Sequence, residues 1–203
     1  MKKGLVAGLG CLAIIVVVVL ILAFSAWGTY NNLVTLQQEV ESKWSQVENT
    51  YQRRMDLIPN LVATVKGYAL HEKETLEAVT ASRSQVGSMK ITPDILNNPA
   101  EFQKFQQAQA GLTSALSRLM VVVERYPDLK ANQNFLDLQS QLEGTENRIT
   151  VERMRFIEAA RAYNTKRKQF PANIFANMFG FQEKAYFQSA PGSEKAPTVD
   201  FSK

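Results

Sequence analysis

The sequence predicts an all-α protein, an N-terminal transmembrane helix followed by an elongated antiparallel up-down-up-down four-helix bundle. Three observations predict it. An uncharged apolar run covers Leu5 to Trp27. Beyond it, four segments carry apolar residues at alternating steps of three and four, the spacing that lines one face of a helix. Proline and glycine are scarce between the apolar run and residue 171, which disfavours a turn-rich β fold.

The length of 203 residues suits one ordinary domain plus accessory segments, and 45% hydrophobic with 21% charged residues is a globular composition. The net charge is +4, and Lys2 and Lys3 lie outside the predicted domain, so the remainder is close to neutral. No basic stripe interleaved with aromatics is present, and nucleic-acid binding is not expected.

The run from Leu5 to Trp27 is long enough to span a bilayer core with some tilt. Trp27 and Tyr30 stand at its far edge, where amphipathic rings favour the headgroup zone. A cleaved signal peptide is the alternative, with a weak small-residue site at Ala23-Phe24-Ser25, but the run exceeds the usual signal-peptide core of about 7–15 residues. Cys11, the single cysteine, offers a lipoprotein reading that the short apolar stretch before it disfavours. Lys2 and Lys3 flank one end, while the first charges beyond the other are Glu39, Glu41 and Lys43. The positive-inside rule then leaves residues 1–4 in the cytoplasm, residues 5–27 in the membrane and the domain on the extracytoplasmic side; in a bacterium with two membranes these are the inner (plasma) membrane and the periplasm.

The bundle is expected over residues 28–167. Its first stripe is Leu33, Leu36, Val40, Trp44, Val47 and Tyr51. Pro59 removes an N–H donor and disfavours helical geometry at Ile58, so a reversal is expected there, with a kinked continuous helix as the alternative. The second stripe is Leu61, Val65, Tyr68, Glu72, Leu76, Val79, Arg83 and Val86, ending before a polar loop that holds Pro93 and Pro99. The third runs from Phe102 to Tyr126 and stops at Pro127. The fourth runs from Phe135 to Tyr163, with Gly144 as a candidate bend. These segments span roughly 26–36 residues, or about 40–54 Å at 1.5 Å per residue, and their spacing is that of bundle and coiled-coil packing. The turns at Pro59 and Pro127 are expected at the distal end, and the loop around Pro93 and the end of the fourth helix near the bilayer.

Five polar residues occupy stripe positions: Glu72, Arg83, Gln109, Thr145 and Glu152. Buried charges need partners. Counting heights from the distal turns predicts an Arg83–Glu152 pair with Gln109 nearby, and Glu72 accepting a bond from Thr145 or the Trp44 indole. These groups are read as fixing register between helices, with a polar binding site inside the bundle as the alternative. A di-metal site needs Glu-x-x-His motifs, but His71 is the single histidine and adjoins Glu72. No metal, cofactor or catalytic residue is expected, and neither a nucleophile–base pairing nor a phosphate-cradling loop is recognisable.

Residues 168–188 form an aromatic, membrane-proximal segment. Ile174, Phe175, Met178 and Phe179 make one face of a short helix, and Phe181 extends it past Gly180. Three roles remain open for them: capping the bundle, sitting in the bilayer interface, or contacting a partner. Residues 189–203 turn polar and proline-containing, as a disordered tail does.

Several stretches resemble the LemA family. They include Tyr30-Asn31-Asn32-Leu33-Val34, Arg53-Arg54-Met55-Asp56-Leu57-Ile58-Pro59-Asn60-Leu61-Val62 and Val65-Lys66-Gly67-Tyr68-Ala69-Leu70-His71-Glu72. Others are Ala81-Ser82-Arg83, Glu152-Arg153-Met154-Arg155-Phe156-Ile157, Ala160-Arg161-Ala162-Tyr163-Asn164 and Phe170-Pro171. The family's usual second Tyr-Asn is replaced by Thr165-Lys166. The resemblance implies a bacterial membrane-anchored helical-bundle protein without an established enzymatic activity, and supplies no catalytic residues. The leading functional expectation is a non-enzymatic scaffold or adaptor of the cell envelope acting through protein partners or self-association as a homo-oligomer. The alternatives are a membrane-remodelling or structural protein whose aromatic segment engages membrane lipid, and a ligand sensor.

Overall fold

The computed structural model describes residues 2–69, 71–89 and 91–187. The tail expected at 189–203 lies outside the described residues. The chain is helical in the order α1 (Lys2–Lys66), α2 (Lys73–Gly87), a 3-10 turn (Pro93–Asn97), α3 (Pro99–Val123), α4 (Pro127–Lys130), α5 (Gln133–Lys168) and α6 (Ala172–Met178).

The reversal expected at Pro59 does not occur. α1 continues through Pro59 for 65 residues, about 98 Å at helical rise. Proline in a helix interior leaves the carbonyl four residues earlier without its usual donor, and here that carbonyl belongs to Met55. Arg83 of α2 supplies the missing bond, its Nε donating to Met55 O at 3.0 Å. The chain leaves helix only after Lys66 and re-enters it at Lys73. The second apolar stripe is therefore shared, Leu61 and Val65 lying on α1 and Leu76, Val79 and Val86 on α2.

The other boundaries follow local chemistry. Asn98 Oδ1 accepts from Ala100 N and Glu101 N, both at 3.2 Å, and Pro99 opens α3 where its absent N–H is not needed. Asn132 Oδ1 accepts from Phe135 N at 3.0 Å to start α5. α5 runs unbroken past Gly144.

α1 packs most extensively on α5, and α2 on α3. Partners fall along α5 as they rise along α1: Trp44 faces Phe156, Arg54 faces Glu146, and Tyr68 OH accepts from Asn132 Nδ2. At the distal end, Glu72 accepts from Tyr126 OH at 3.1 Å and pairs with Arg125 at 3.2 Å.

Because α2 has only 15 residues, it does not reach the base of the domain. Residues 181–187 fill that place as an extended strap. α6 ends in a Schellman turn, with Gly180 at φ +76° and Phe181 N donating to Ala176 O at 2.9 Å. The chain then runs back along α5. Arg167 Nε donates to Phe181 O, Tyr163 OH to Gln182 O and Asn164 Nδ2 to Lys184 O, each at 2.8 Å. Asn164 Oδ1 accepts from Lys184 N at 2.9 Å, and Ala185 N donates to Leu96 O at 2.7 Å.

The link from Pro59 to Arg83 is measurable. Arg83→Met should cost about 1–2 kcal/mol, because it leaves the Met55 carbonyl unsatisfied. In a Pro59→Ala background the new backbone N–H can serve that carbonyl, so the cost should shrink, giving a coupling of about 1 kcal/mol. Urea unfolding of the full chain in detergent reads all four proteins, and strictly additive effects would refute the link.

Candidate functional site

Two apolar clusters make the core, and a polar layer separates them. The cluster nearer the base is aromatic. Trp44 is fully buried, with ring centroids 5.7 Å from Phe102, 5.7 Å from Phe105 and 5.2 Å from Phe156. Phe187 of the strap completes it, 5.0 Å from Phe102. The distal cluster joins Met55, Ile58, Leu61 and Val65 to Leu112, Leu119, Phe135 and Leu142.

Arg54 lies between the two and is only 2% exposed. Its Nη1 donates to Thr113 Oγ1 at 3.2 Å and to Glu146 Oε2 at 2.9 Å, and its Nη2 donates to Gln109 Oε1. The guanidinium also lies 5.2 Å from the centre of the Tyr51 ring. Thr113 Oγ1 in turn donates to Gln109 O at 3.0 Å. Removing such a charge from water costs several kcal/mol, and this set of acceptors on α3 and α5 offsets it. Arg54 reaches them all only when α1, α3 and α5 stand in this register.

An open cavity of about 1090 Å³ adjoins this layer. Its walls include Gln103, Gln106 and Ala110 of α3 and Arg153 of α5, with Tyr51 and Arg54 at the floor. The strap closes one end with Ala185, Tyr186 and Phe187, and Arg153 stacks over the Phe187 ring at 4.1 Å. Burial pushes the Tyr51 hydroxyl above its usual pKa, and Arg153 and Arg54 pull it part of the way back. The cleft therefore offers amide and hydroxyl groups along its walls, with Arg153 and the carboxylates of Glu146 and Glu183 among them, a surface suited to hydrogen-bonding a peptide backbone.

The expected polar pairs are rearranged. Arg83 and Glu152 do not meet. Arg83 lies ten residues into α2 and Glu152 nineteen into α5, a difference in height of about 14 Å at 1.5 Å per residue. Arg83 binds the Met55 carbonyl, and Glu152 pairs with Arg155 on its own helix at 2.8 Å. Gln109 is buried and serves Arg54 instead of an Arg83–Glu152 pair. Glu72 binds Tyr126 and Arg125 rather than Thr145 or Trp44. Thr145 Oγ1 donates to Gln141 O at 2.7 Å within α5, and among the described residues the Trp44 indole N–H has no acceptor. Sequence reasoning missed Arg54, although it follows Tyr51 by three residues and continues the first stripe. The expected break at Pro59 ended that stripe too early.

The C-terminal aromatics divide into two groups. Phe179 and Phe181 pack edge-on against Tyr30 at 5.1 and 5.6 Å, and Phe175 is half-buried. Ile174 and Met178 are exposed. Their neighbour Phe170, which sequence reasoning did not include, is 81% exposed. α1 is long and apolar enough to cross a membrane by length and composition, and its residues Ile14 to Leu22 face outward.

A family model described as "LemA family" matches residues 43–201. The chain belongs to the LemA family. Magnetosome protein MamQ 1 of Paramagnetospirillum magneticum is 29% identical, over 81% of this chain and 66% of the relative. Magnetosome protein MamQ of Magnetospirillum gryphiswaldense is 27% identical over the same shares. Protein LemA of Metamycoplasma hominis is 24% identical, over 80% of this chain and 70% of the relative. This LemA-family chain thus spans just under two thirds of the length of the magnetosome relatives it matches.

Two measurements test the site. Arg54→Ala should destabilise the full chain by about 3 kcal/mol, whereas Glu152→Ala should cost less than about 1 kcal/mol because its partner is solvent-exposed. Equal losses in urea unfolding would contradict the polar layer. Tyr163 supplies the second. Burial raises its pKa from 10.0 to about 12, so the folded chain keeps a proton that the unfolded chain loses. Its contribution is complete below pH 10 and is lost as pH rises through about 12. The stability gap between the parent and Tyr163→Phe should narrow across that range, and a constant gap would contradict the assignment.

Proposed function

We propose that this LemA-family chain is a single-pass, non-enzymatic adaptor of the bacterial cell envelope whose helical domain captures an extended polypeptide of a partner protein. The cleft beside Arg54 carries the reading. One end already holds an extended peptide, the chain's own strap, gripped through its backbone by Asn164 and Leu96 and anchored by Phe187. The same groove continues past Phe187 between amide-bearing residues of α3 and Arg153 of α5. Backbone capture with an aromatic anchor is a recurring mode of peptide recognition.

The architecture supports this role as an antiparallel up-down-up-down arrangement of α1, α2, α3 and α5. The falling order of α5 partners along α1 favours it. Lys2 and Lys3 favour an anchor with its N-terminus in the cytoplasm and the domain outside. Some relatives are named for the magnetosome and another is not, which favours an adaptable contact surface over one fixed reaction. A membrane-remodelling role is the second reading, favoured by the exposed apolar face at α6.

Site-specific photocrosslinking in cells tests the adaptor reading. A photoreactive residue at Gln106 should yield a protein adduct that Ala110→Trp abolishes by filling the cleft. The same probe at Ser140, an exposed α5 position away from the cleft, should yield none. Adducts that ignore Ala110→Trp would rule out the cleft as the contact.

A further inference from the structure

We propose that Phe170, Ile174 and Met178 form a lipid-contacting foot, a second membrane attachment that rests in the bilayer interface beside the exit of α1. The inference shares the anchor with the adaptor reading but uses a different surface and does not depend on the cleft.

α6 is two-sided. Ala172 and Ala176 are buried against the domain, while Ile174 and Met178 are 56% and 64% exposed. Phe170, in the turn that leads into α6, is 81% exposed. On α6, spacing of four places Ile174 and Met178 on one outward face. Three large apolar side chains exposed within residues 170–178 mark a contact surface rather than scattered exposure.

The height of this face identifies what covers it. Tyr30 touches Phe179 and Phe181 at 5.1 and 5.6 Å. Tyr30 lies three residues beyond Trp27, the last residue of the uncharged run, a rise of about 5 Å. Along α1 from Ile14, the first partly covered residues are Ala26 and Thr29. The domain therefore begins within the last turn of the apolar span, and α6 packs on that part of the domain and on α5. If α1 crosses a bilayer through its apolar run, α6 stands at the headgroup boundary. An interfacial helix buries its apolar face about 5–10 Å into that boundary.

Charge fits the same occupant. The last turn of α5, immediately before Phe170, carries Lys166, Arg167 and Lys168. Arg167 is held to Phe181 O and Asn177, and Lys168 pairs with Glu183, which ties this basic turn to α6 and the segment after it. Cations next to exposed apolar side chains match an anionic lipid surface. The packing also selects among the aromatics. Phe181 packs on Tyr30, Phe175 is half-buried, and Phe179 packs edge-on against Tyr30 while staying 44% exposed, so the lipid contact centres on Phe170, Ile174 and Met178, the most exposed of the set.

The test uses the full chain with Cys11→Ser, reconstituted into vesicles of phosphatidylcholine and phosphatidylglycerol. A single Ile174→Cys carries an environment-sensitive fluorophore, and Val121→Cys on the exposed face of α3 is the reference. Spin-labelled lipid with its nitroxide near the headgroups should quench the Ile174 label at least about twofold more than the Val121 label. Phe170→Ser with Met178→Ser should bring quenching at Ile174 down to the reference level, with thermal unfolding unchanged because both side chains are exposed. Quenching at Ile174 no greater than at Val121, with free access to aqueous iodide, would overturn the foot. Shielding from both lipid nitroxide and iodide would also overturn it, because a second copy, another protein or the chain's own residues 188–203 would then cover the face.

Discussion

The Met55 carbonyl, left without a helical donor by Pro59 and taken up by Arg83, is the interaction on which the arrangement of the domain depends. With that carbonyl satisfied, α1 passes through a residue that ordinarily ends a helix. The reversal moves to the far side of Lys66, α2 becomes short, and its apolar face packs on α3. The base of the domain then lacks helical cover on one side, and the strap supplies it. One side-chain-to-backbone bond thus separates two different distributions of the same apolar stripe.

Arg54 sets the register that this long α1 adopts. Apolar clusters above and below it could slide by a helical turn at modest loss, since leucine, valine and phenylalanine pack against many neighbours. A guanidinium that is 2% exposed cannot slide, because only one height offers Gln109, Thr113 and Glu146 together. The layer also shapes the cleft. Polar residues at the junction of two apolar clusters leave the α3 and α5 walls lined by groups that still hydrogen-bond, and the strap ends just below them.

The strap joins the two ends of this design. It starts at the Schellman turn after α6, next to Tyr30 at the mouth of the apolar span, and ends at Phe187 against Trp44 and Phe102. Burial of Phe187 and the paired bonds of Asn164 hold it in place, so residues 181–187 link α6 to the cleft as ordered chain. In this LemA-family chain, such a link keeps the groove at a set distance from the end of the apolar span.

Much of the fold was legible without the structure. The apolar run from Leu5 to Trp27, the helical faces around Trp44, Leu112 and Phe156, and the starts of α3 and α5 near Pro99 and Asn132 depend on residues close together in the chain. Hydrophobic periodicity and cap chemistry act over one or two turns, so one sequence suffices to read them. The passage of α1 through Pro59, the partners of Arg54 and Glu72, and the strap along Tyr163 and Asn164 were not legible in this way. Each satisfies a polar group with another from a distant segment, and which groups stand at the same height is set only after the turns are placed. The sequence by itself determined where helices form and which faces they bury. The tertiary structure decided the register, because a buried carbonyl or guanidinium is satisfied only by whatever the packed neighbours bring within hydrogen-bond reach.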